Sequence, residues 1–275
     1  MTNIIKKIYK SLTVKILKGS KLQYIKIKFF LLIQELFPFL KNKITKKIKK
    51  TKNEWIIKIN TGKFFIQSHN DSFGKSQDYF EKYIRSYFTK KKGNIFFDIG
   101  SNIGFYSILL INKKLYKQAY AFEPNPDTYK ILSKNIKLNK LTKKITPNQI
   151  ALGEKQTTVN FFQDKYHTGG SKIIENSKKH KEFIKIKKIS FDKFIQNNKI
   201  DIKNIDLIKI DVEGHEHQVL KGMKNFLKDS KKGTRIIIEI WDKNKTGKES
   251  KKLLKKSGYE ILKKYQSQHL LQKNN

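Results

Sequence analysis

Three short stretches of this chain set acids, glycines and histidines at spacings that can do chemistry. The first is Phe96-Phe97-Asp98-Ile99-Gly100-Ser101-Asn102-Ile103-Gly104-Phe105, an apolar run that meets an acid and then a glycine-bearing turn. Gly100 lets the backbone turn sharply and leaves room for a ligand, and Gly104 permits close packing of a following helix on the strand. The start of that helix presents free N–H groups. Dinucleotide-binding folds use a similar turn with the spacing G-x-G-x-x-G. Here the spacing is Asp98-x-Gly100-x-x-x-Gly104. An acid at the strand end repels a pyrophosphate and suits a ligand that carries an ammonium group.

The second stretch is Ala121-Phe122-Glu123-Pro124-Asn125-Pro126, with a carboxylate 25 positions after Asp98. An acid about 20 residues beyond a glycine turn is placed to accept both hydroxyls of a ribose. Pro124 and Pro126 stiffen the loop that carries it. Two carboxylates at neighbouring strand tips make a berth for a cationic sulfonium nucleoside, S-adenosylmethionine, rather than for a phosphate. Asp98, Gly100, Ser101, Asn102, Gly104, Glu123, Ala151 and Asp211 form the expected cofactor set.

The third stretch is Ile208-Lys209-Ile210-Asp211-Val212-Glu213-Gly214-His215-Glu216-His217. Asp211, Glu213 and His215 are candidate bases for taking a proton from an acceptor hydroxyl. They are also candidate ligands for a divalent metal. His215 and His217 lack the i, i+4 spacing of a helical zinc pair, and no metal site is assigned. Glu239, at the end of a later apolar run, is a third candidate base beside Asp211 and His215. Trp241 follows it and is expected either to wall the substrate or to fill core.

These residues need strand tips to carry them. Ile95–Ile99 reads as a buried parallel strand and Gly100–Ile111 as its turn and helix. Gln118–Phe122 is a second strand and Asp127–Leu138 a second helix. Ile145–Leu152 is a third strand, and Val159–Phe162 and Ile184–Ile189 are added strands flanking a polar loop. Phe191–Gln196 is a short helix, Leu207–Ile210 a fourth core strand, Glu216–Leu227 a helix and Arg235–Ile240 a fifth strand. A helix around Leu253 precedes a closing pair, Tyr259–Leu262 and His269–Leu271. Such alternation predicts an α/β fold, a mainly parallel sheet with helices on both faces and ligands beyond the carboxyl ends of the strands. Ahead of it, Trp55–Asn60 and Lys63–Gln67 flank Thr61-Gly62 as a β-hairpin at about 55–67. Gln77–Phe88 carries Phe80, Tyr83, Ile84 and Tyr87 at helical spacing, and Thr89–Asn94 is a loop.

Residues 1–53 read as a basic extension of amphipathic helices with a break at Pro38, distinct from a domain over 54–275. Their one continuous apolar stretch, Phe29–Ile33, is far short of the roughly 20 residues a spanning helix needs. No signal-peptide pattern is evident. The extension is expected to pack on the domain or to lie on a membrane surface. A cytoplasmic location follows, with peripheral contact at the inner face of the membrane as the variant.

The 275 residues include no cysteine, which excludes disulfides and cysteine nucleophiles. The net charge of +38 invites a nucleic-acid reading. Of the 61 basic residues, however, only Arg85 and Arg235 are arginine. Phosphate clamps and base readers favour the planar guanidinium. A lysine-rich surface of this kind is what codon bias in an AT-rich genome produces, and no specific nucleic-acid partner is expected.

The ordered blocks FFDIGSNIGFYS (96–107), AFEPNPDTYKILSKNIKLN (121–139), IALGE (150–154), TGGSK (168–172), ISFDKFI (189–195), IDLIKIDVEGHEHQVLKGM (205–223) and IIIEI (236–240) resemble the FkbM-type methyltransferases, a branch of the class I S-adenosylmethionine enzymes. The resemblance implies a Rossmann-like, mainly parallel seven-stranded sheet with an antiparallel last strand. It implies O-methylation of a hydroxyl on a sugar, glycan or similar metabolite. It places Asp98, Gly100 and Gly104 around the methionine moiety, Glu123 on the ribose and Asp211 near the transferred methyl. The Gly169-Gly170-Ser171 loop comes close to the cleft, so Gly170, Ser171, Glu213 and Trp241 are the expected substrate contacts. Members often carry a His after the fifth-strand acid, where this chain has Ile240-Trp241. Two other readings compete. A nicotinamide-dependent Rossmann oxidoreductase needs the missing G-x-G-x-x-G turn. A non-catalytic basic module that binds nucleic acid or membranes leaves the acids at Glu123, Asp211 and Glu213 without a role.

Overall fold

A computed structural model describes residues 54–59, 62–67, 86–88, 91–164, 170–174 and 183–274. Strands β1 (Glu54–Ile59) and β2 (Gly62–Gln67) form an antiparallel hairpin with Ile59 opposite Gly62. Then follow β3 (Gly93–Ile99), α1 (Phe105–Asn112), β4 (Tyr116–Phe122), α2 (Pro126–Leu138), β5 (Ile145–Asn148), β6 (Ala151–Leu152), β7 (Thr157–Phe162), β8 (Lys172–Ile174) and β9 (Ile184–Ile189). The chain continues through α3 (Phe191–Asn197), β10 (Ile205–Ile210), α4 (Glu216–Lys221), α5 (Lys224–Asp229), β11 (Arg235–Glu239), α6 (Lys245–Lys256), β12 (Tyr259–Tyr265) and β13 (Gln268–Lys273).

Seven strands pair in the order β12-β13-β11-β10-β3-β4-β5. Neighbours from β11 to β5 are parallel, and β13 alone runs against them, wedged between β11 and β12. This is the Rossmann-like class I sheet with its antiparallel last strand. Four shorter strands form a second sheet in the order β6-β9-β7-β8.

Period-2 alternation sorts the strand side chains to two faces. Ile95, Phe97 and Ile99 of β3 join Ile208 and Ile210 of β10 under α3 to α6, where Phe191, Val219, Phe226 and Leu254 cover them. Phe96 and Leu207 face the other way, into a core with Ile108 and Leu109 of α1, Leu132 of α2 and Phe64 of β2. The Phe64 ring lies 5.8 Å from that of Phe105, so the hairpin closes over α1. The same alternation turns Asp98 and Lys209, register partners across β3 and β10, toward the α1 face.

Three expected boundaries move. The single third strand Ile145–Leu152 is two: β5 is the edge of the large sheet, and β6 pairs with β9 in the small one. Pro147 lies in β5, where an edge tolerates its missing donor, and the chain then leaves. The single helix Glu216–Leu227 is also two, α4 and α5, parted at Gly222. A Cβ there would stand 2.0 Å from the Gly153 carbonyl oxygen, so the chain passes too close to β6 to carry a side chain. The Asp192 carboxylate of α3 then caps α5, accepting from the N–H groups of Asn225 (2.8 Å) and Phe226 (3.0 Å). The expected loop Thr89–Asn94 gives up Gly93 and Asn94 to β3. Residues 1–53, most of the expected helix Gln77–Phe88, and Gly169 lie outside the described residues. Among the described residues, no helix is long and apolar enough to cross a membrane.

Candidate active site

The tips of β3, β4 and β10 are sewn together by their own backbones. Gly100 and Ser101 donate their N–H groups to the Phe122 carbonyl (3.1 and 2.9 Å), and Asp211 donates its N–H to the Ile99 carbonyl (3.1 Å). Gly100 sits at φ +77°, and a Cβ on it would stand 1.8 Å from the Asp211 carbonyl oxygen. Its glycine is therefore demanded first by the neighbouring strand. Gly104 caps α1 at φ +87°, and its bare Cα admits Leu132 of α2, whose Cδ1 would be 2.6 Å from a Cβ. The close packing it permits is helix against helix, rather than helix on strand.

Asp98 is almost wholly buried at the end of β3. Its Oδ2 accepts from the N–H (3.2 Å) and the hydroxyl (2.7 Å) of Ser107, in the first turn of α1. Its Oδ1 has no hydrogen-bond partner and faces the Lys209 ammonium at 3.7 Å. Burial pushes the carboxyl above its ordinary range, against the pull of Lys209 and the Ser107 bonds. Lys209 itself reaches the Asp211 Oδ2 (3.3 Å) and donates to the Gly100 carbonyl (3.1 Å). Sequence reading missed Lys209. The signal was present: one charged residue inside the apolar run Leu207–Ile210, on the same strand face as the acid it meets.

Glu123 stands on the next strand tip, 7% exposed. Its Oε2 accepts from the Asn102 N–H (3.0 Å) and its Oε1 from the Asn125 N–H (2.9 Å). Burial raises its pKa to about 7 despite those bonds. Each oxygen keeps a lone pair, the requirement for gripping two ribose hydroxyls. The Glu123 loop is also the anchor for the small sheet. Gln163 donates to the Asn125 Oδ1 (2.9 Å), and Asn125 donates to the Ser171 hydroxyl (3.4 Å), which also accepts from the Asp164 N–H (3.0 Å). Gly170 leaves room for the Asp164 carboxylate, whose Oδ2 would be 2.8 Å from a Cβ. The structure thus sets Ser171 against the loop that carries Glu123 and Gly170 against Asp164, and adds Asn125 and Gln163, which the sequence reading did not single out.

Beyond β10 and β11 the acids converge. Burial first, then repulsion from Asp211, raises both Glu213 and Glu239 to about 7. Glu239 accepts from the Ser267 hydroxyl (2.9 Å). Glu216 serves the backbone instead, taking the N–H groups of Val212 and Gly214 at 3.1 Å each and so holding the 211–216 turn. Glu213 holds φ +55° in that turn. His215 departs from this group. It is 8% exposed, its Nε2 lacks a hydrogen-bond partner, and a Cβ on Gly153 would lie 3.1 Å from that nitrogen. Burial and the Lys188 charge lower its pKa to about 4. Ala151 stands in the small apolar cluster of the second sheet with Phe161 and Ile186. Trp241 is 58% exposed, which excludes the core as its place. Among the described residues no cluster has the makeup of a metal site.

The arrangement fits S-adenosylmethionine. Asp98 and Glu123 are buried acceptors on adjacent parallel strands, and the orphaned Asp98 Oδ1 and Ser101 hydroxyl are two polar atoms that a ligand would satisfy. Comparison with known proteins points the same way. The chain is 30% identical over 150 residues to the hexuronic acid methyltransferase AglP of Haloferax volcanii, covering 54% of this chain and 57% of that one. It is 26% identical over 190 residues to methyltransferase sdnD of Sordaria araneosa, covering 60% and 73%. A solved FkbM methyltransferase from Methylobacillus flagellatus superposes with a TM-score of 0.46 at 16% identity, over 66% of this chain and 43% of that one. Residues 98–261, more than half of the chain, match the family described as the methyltransferase FkbM domain. The chain belongs to the FkbM methyltransferase family, and its cofactor is S-adenosylmethionine.

Proposed function

We propose that the protein transfers the methyl group of S-adenosylmethionine to a hydroxyl of a sugar, glycan or similar polar metabolite. The observation that carries this reading is the carboxylate rim, in which Asp211, Glu213 and Glu239 stand past the tips of β10 and β11 with two of them at a pKa of about 7. A base poised near working pH is what a hydroxyl acceptor needs, and it adds about 10²–10⁴-fold to the rate. The cofactor supplies an electrophilic methyl on a sulfonium. The protein's part is to align the acceptor oxygen behind that methyl and to take the acceptor's proton on Asp211 or Glu239, as C–O forms and C–S breaks.

His215 serves better as a neutral support for the Gly153 side of the turn than as the base, because it is held neutral and faces Lys188. The tie between Asn125 and Ser171 supports a role for Ser171 in meeting the acceptor from the Glu123 side. The hexuronic acid named for the Haloferax volcanii relative offers both hydroxyl and carboxyl groups. An acid rim repels a carboxylate, so the reading favours the hydroxyl and an ether product. The test is incubation with methyl-labelled S-adenosylmethionine and a panel of neutral sugars and uronic acids, followed by mild alkali. Base-stable label on a sugar supports the reading; base-labile label, or label only on nucleic acid, overturns it.

A further inference from the structure

A lysine in the middle of a buried parallel strand requires a reason. Lys209 is 7% exposed, between Ile208 and Ile210. Taking an ammonium out of water is unfavourable unless acids and hydrogen bonds compensate it. Here the Gly100 carbonyl accepts from it (3.1 Å), the Asp211 carboxylate lies at 3.3 Å and the Asp98 carboxylate at 3.7 Å. The Tyr106 ring centroid lies 5.7 Å from its nitrogen. Its charge is also felt by Glu123, Glu213 and Glu239. It is thus a buried cation paired with two acids, Asp98 and Asp211. Its backbone register with Asp98 fixes it there, and Gly100 ties it to the turn that receives the cofactor.

Such a cation opposes the ligand as well as the acids. S-adenosylmethionine brings a sulfonium, whose charge vanishes when the methyl leaves; the thioether product is neutral at sulfur. A cradle of acids alone would grip the sulfonium hardest in the ground state, which adds to the barrier instead of lowering it. We propose that Lys209 is a positioning residue of the cofactor cradle: a built-in ammonium that bridges Asp98 and Asp211 and reduces the site's preference for the charged sulfonium over its neutral thioether product. This rests on the cofactor assignment above. It goes beyond it in assigning the ratio of the two affinities to one side chain.

The test is calorimetric titration of S-adenosylmethionine and S-adenosylhomocysteine into the wild type, Lys209→Met and Lys209→Arg at pH 8.5, where the rim acids are ionised. Preference for the sulfonium form rises at least threefold in Lys209→Met and stays within twofold of wild type in Lys209→Arg. A lysine that merely braces the strand would weaken both ligands together, and an unchanged ratio in Lys209→Met overturns the proposal. Should Lys209→Met not fold, Lys209→Gln keeps a donor toward Gly100 without the charge, and its ratio must move in the same direction or the proposal fails. Wild type that binds neither ligand indicts the cofactor assignment itself, and the proposal falls with it. Wild type that binds both, with variants at the wild-type ratio, indicts Lys209 alone.

Discussion

Glu123 combines two demands that conflict in most side chains. It is buried, yet in the proposed role of ribose ligand it would have to be ionised to accept two hydroxyls, and burial raises its pKa to about 7. Ligand binding is therefore expected to be pH-dependent. Below pH 7 the carboxyl carries a proton and loses acceptor capacity, so S-adenosylhomocysteine affinity falls by about tenfold or more from pH 8 to pH 5.5. Titrations at the two pH values check this, and a flat profile refutes it. Glu123→Gln removes the same capacity at every pH. Because both carboxylate oxygens already accept backbone N–H groups, the new amide also sets a donor against a donor, at about 1–3 kcal/mol. Its melting temperature drops together with its cofactor affinity. Glu239→Gln should instead leave S-adenosylhomocysteine binding within about threefold and cut kcat by about 10²-fold or more, erasing the rise of kcat between pH 6 and 8. At this scale the acids at strand tips were legible, because a charge ending an apolar run marks where a buried strand meets the surface. Lys209 was legible as a charge inside an apolar run, but what it meets was not. Only the register with Asp98, which no single strand contains, reveals its partner.

Elements were legible wherever periodicity alone builds them, and blurred wherever a distant contact decides. β3, β4, β10 and β11 follow from their apolar runs. The ends of β5 and α4 do not, since they depend on an edge position in the sheet and on the approach of Gly153 to Gly222. Ile184–Ile189 reads as an added strand, but its membership of a separate sheet with β6, β7 and β8 requires the pairing itself. Gly100 illustrates how strongly such contacts bind the elements. An alanine there meets both a left-handed φ and the Asp211 carbonyl, so Gly100→Ala is expected to cost about 3 kcal/mol or more, from backbone strain and forced separation of β3 from β10. Chemical denaturation reads this directly, and a loss below about 1 kcal/mol would show that the turn relaxes at little cost. Asp192→Ala is the milder comparison. It removes the side-chain cap of α5, worth about 1 kcal/mol, without touching Asp98, Glu123 or Lys209, and cofactor affinity should remain that of the wild type.

On the scale of the whole molecule two fields of opposite sign coexist. The sequence carries +38, nearly all of it on lysine, whereas the rim at the ends of β10 and β11 gathers Asp211, Glu213 and Glu239. On the proposed reading the near field acts on what reacts and the far field on what arrives. At ~0.15 M ionic strength charges are screened beyond about 8 Å, so the lysine surface steers ligands at low salt and fades as salt rises. On the proposed reading, an anionic acceptor would be drawn toward the protein by that field and would present a hydroxyl to the acid rim. The consequence is a difference between acceptors. Raising salt from 50 to 300 mM should lower kcat/KM for an anionic glycan several-fold and leave a neutral sugar nearly unchanged, with kcat steady for both. Equal salt dependence for the two acceptors would mean that the lysines act only as a solvated surface. A kcat/KM that rises with salt for the anionic acceptor would mean that the acid rim already dominates the approach, and the far field would then have no part in acceptor choice.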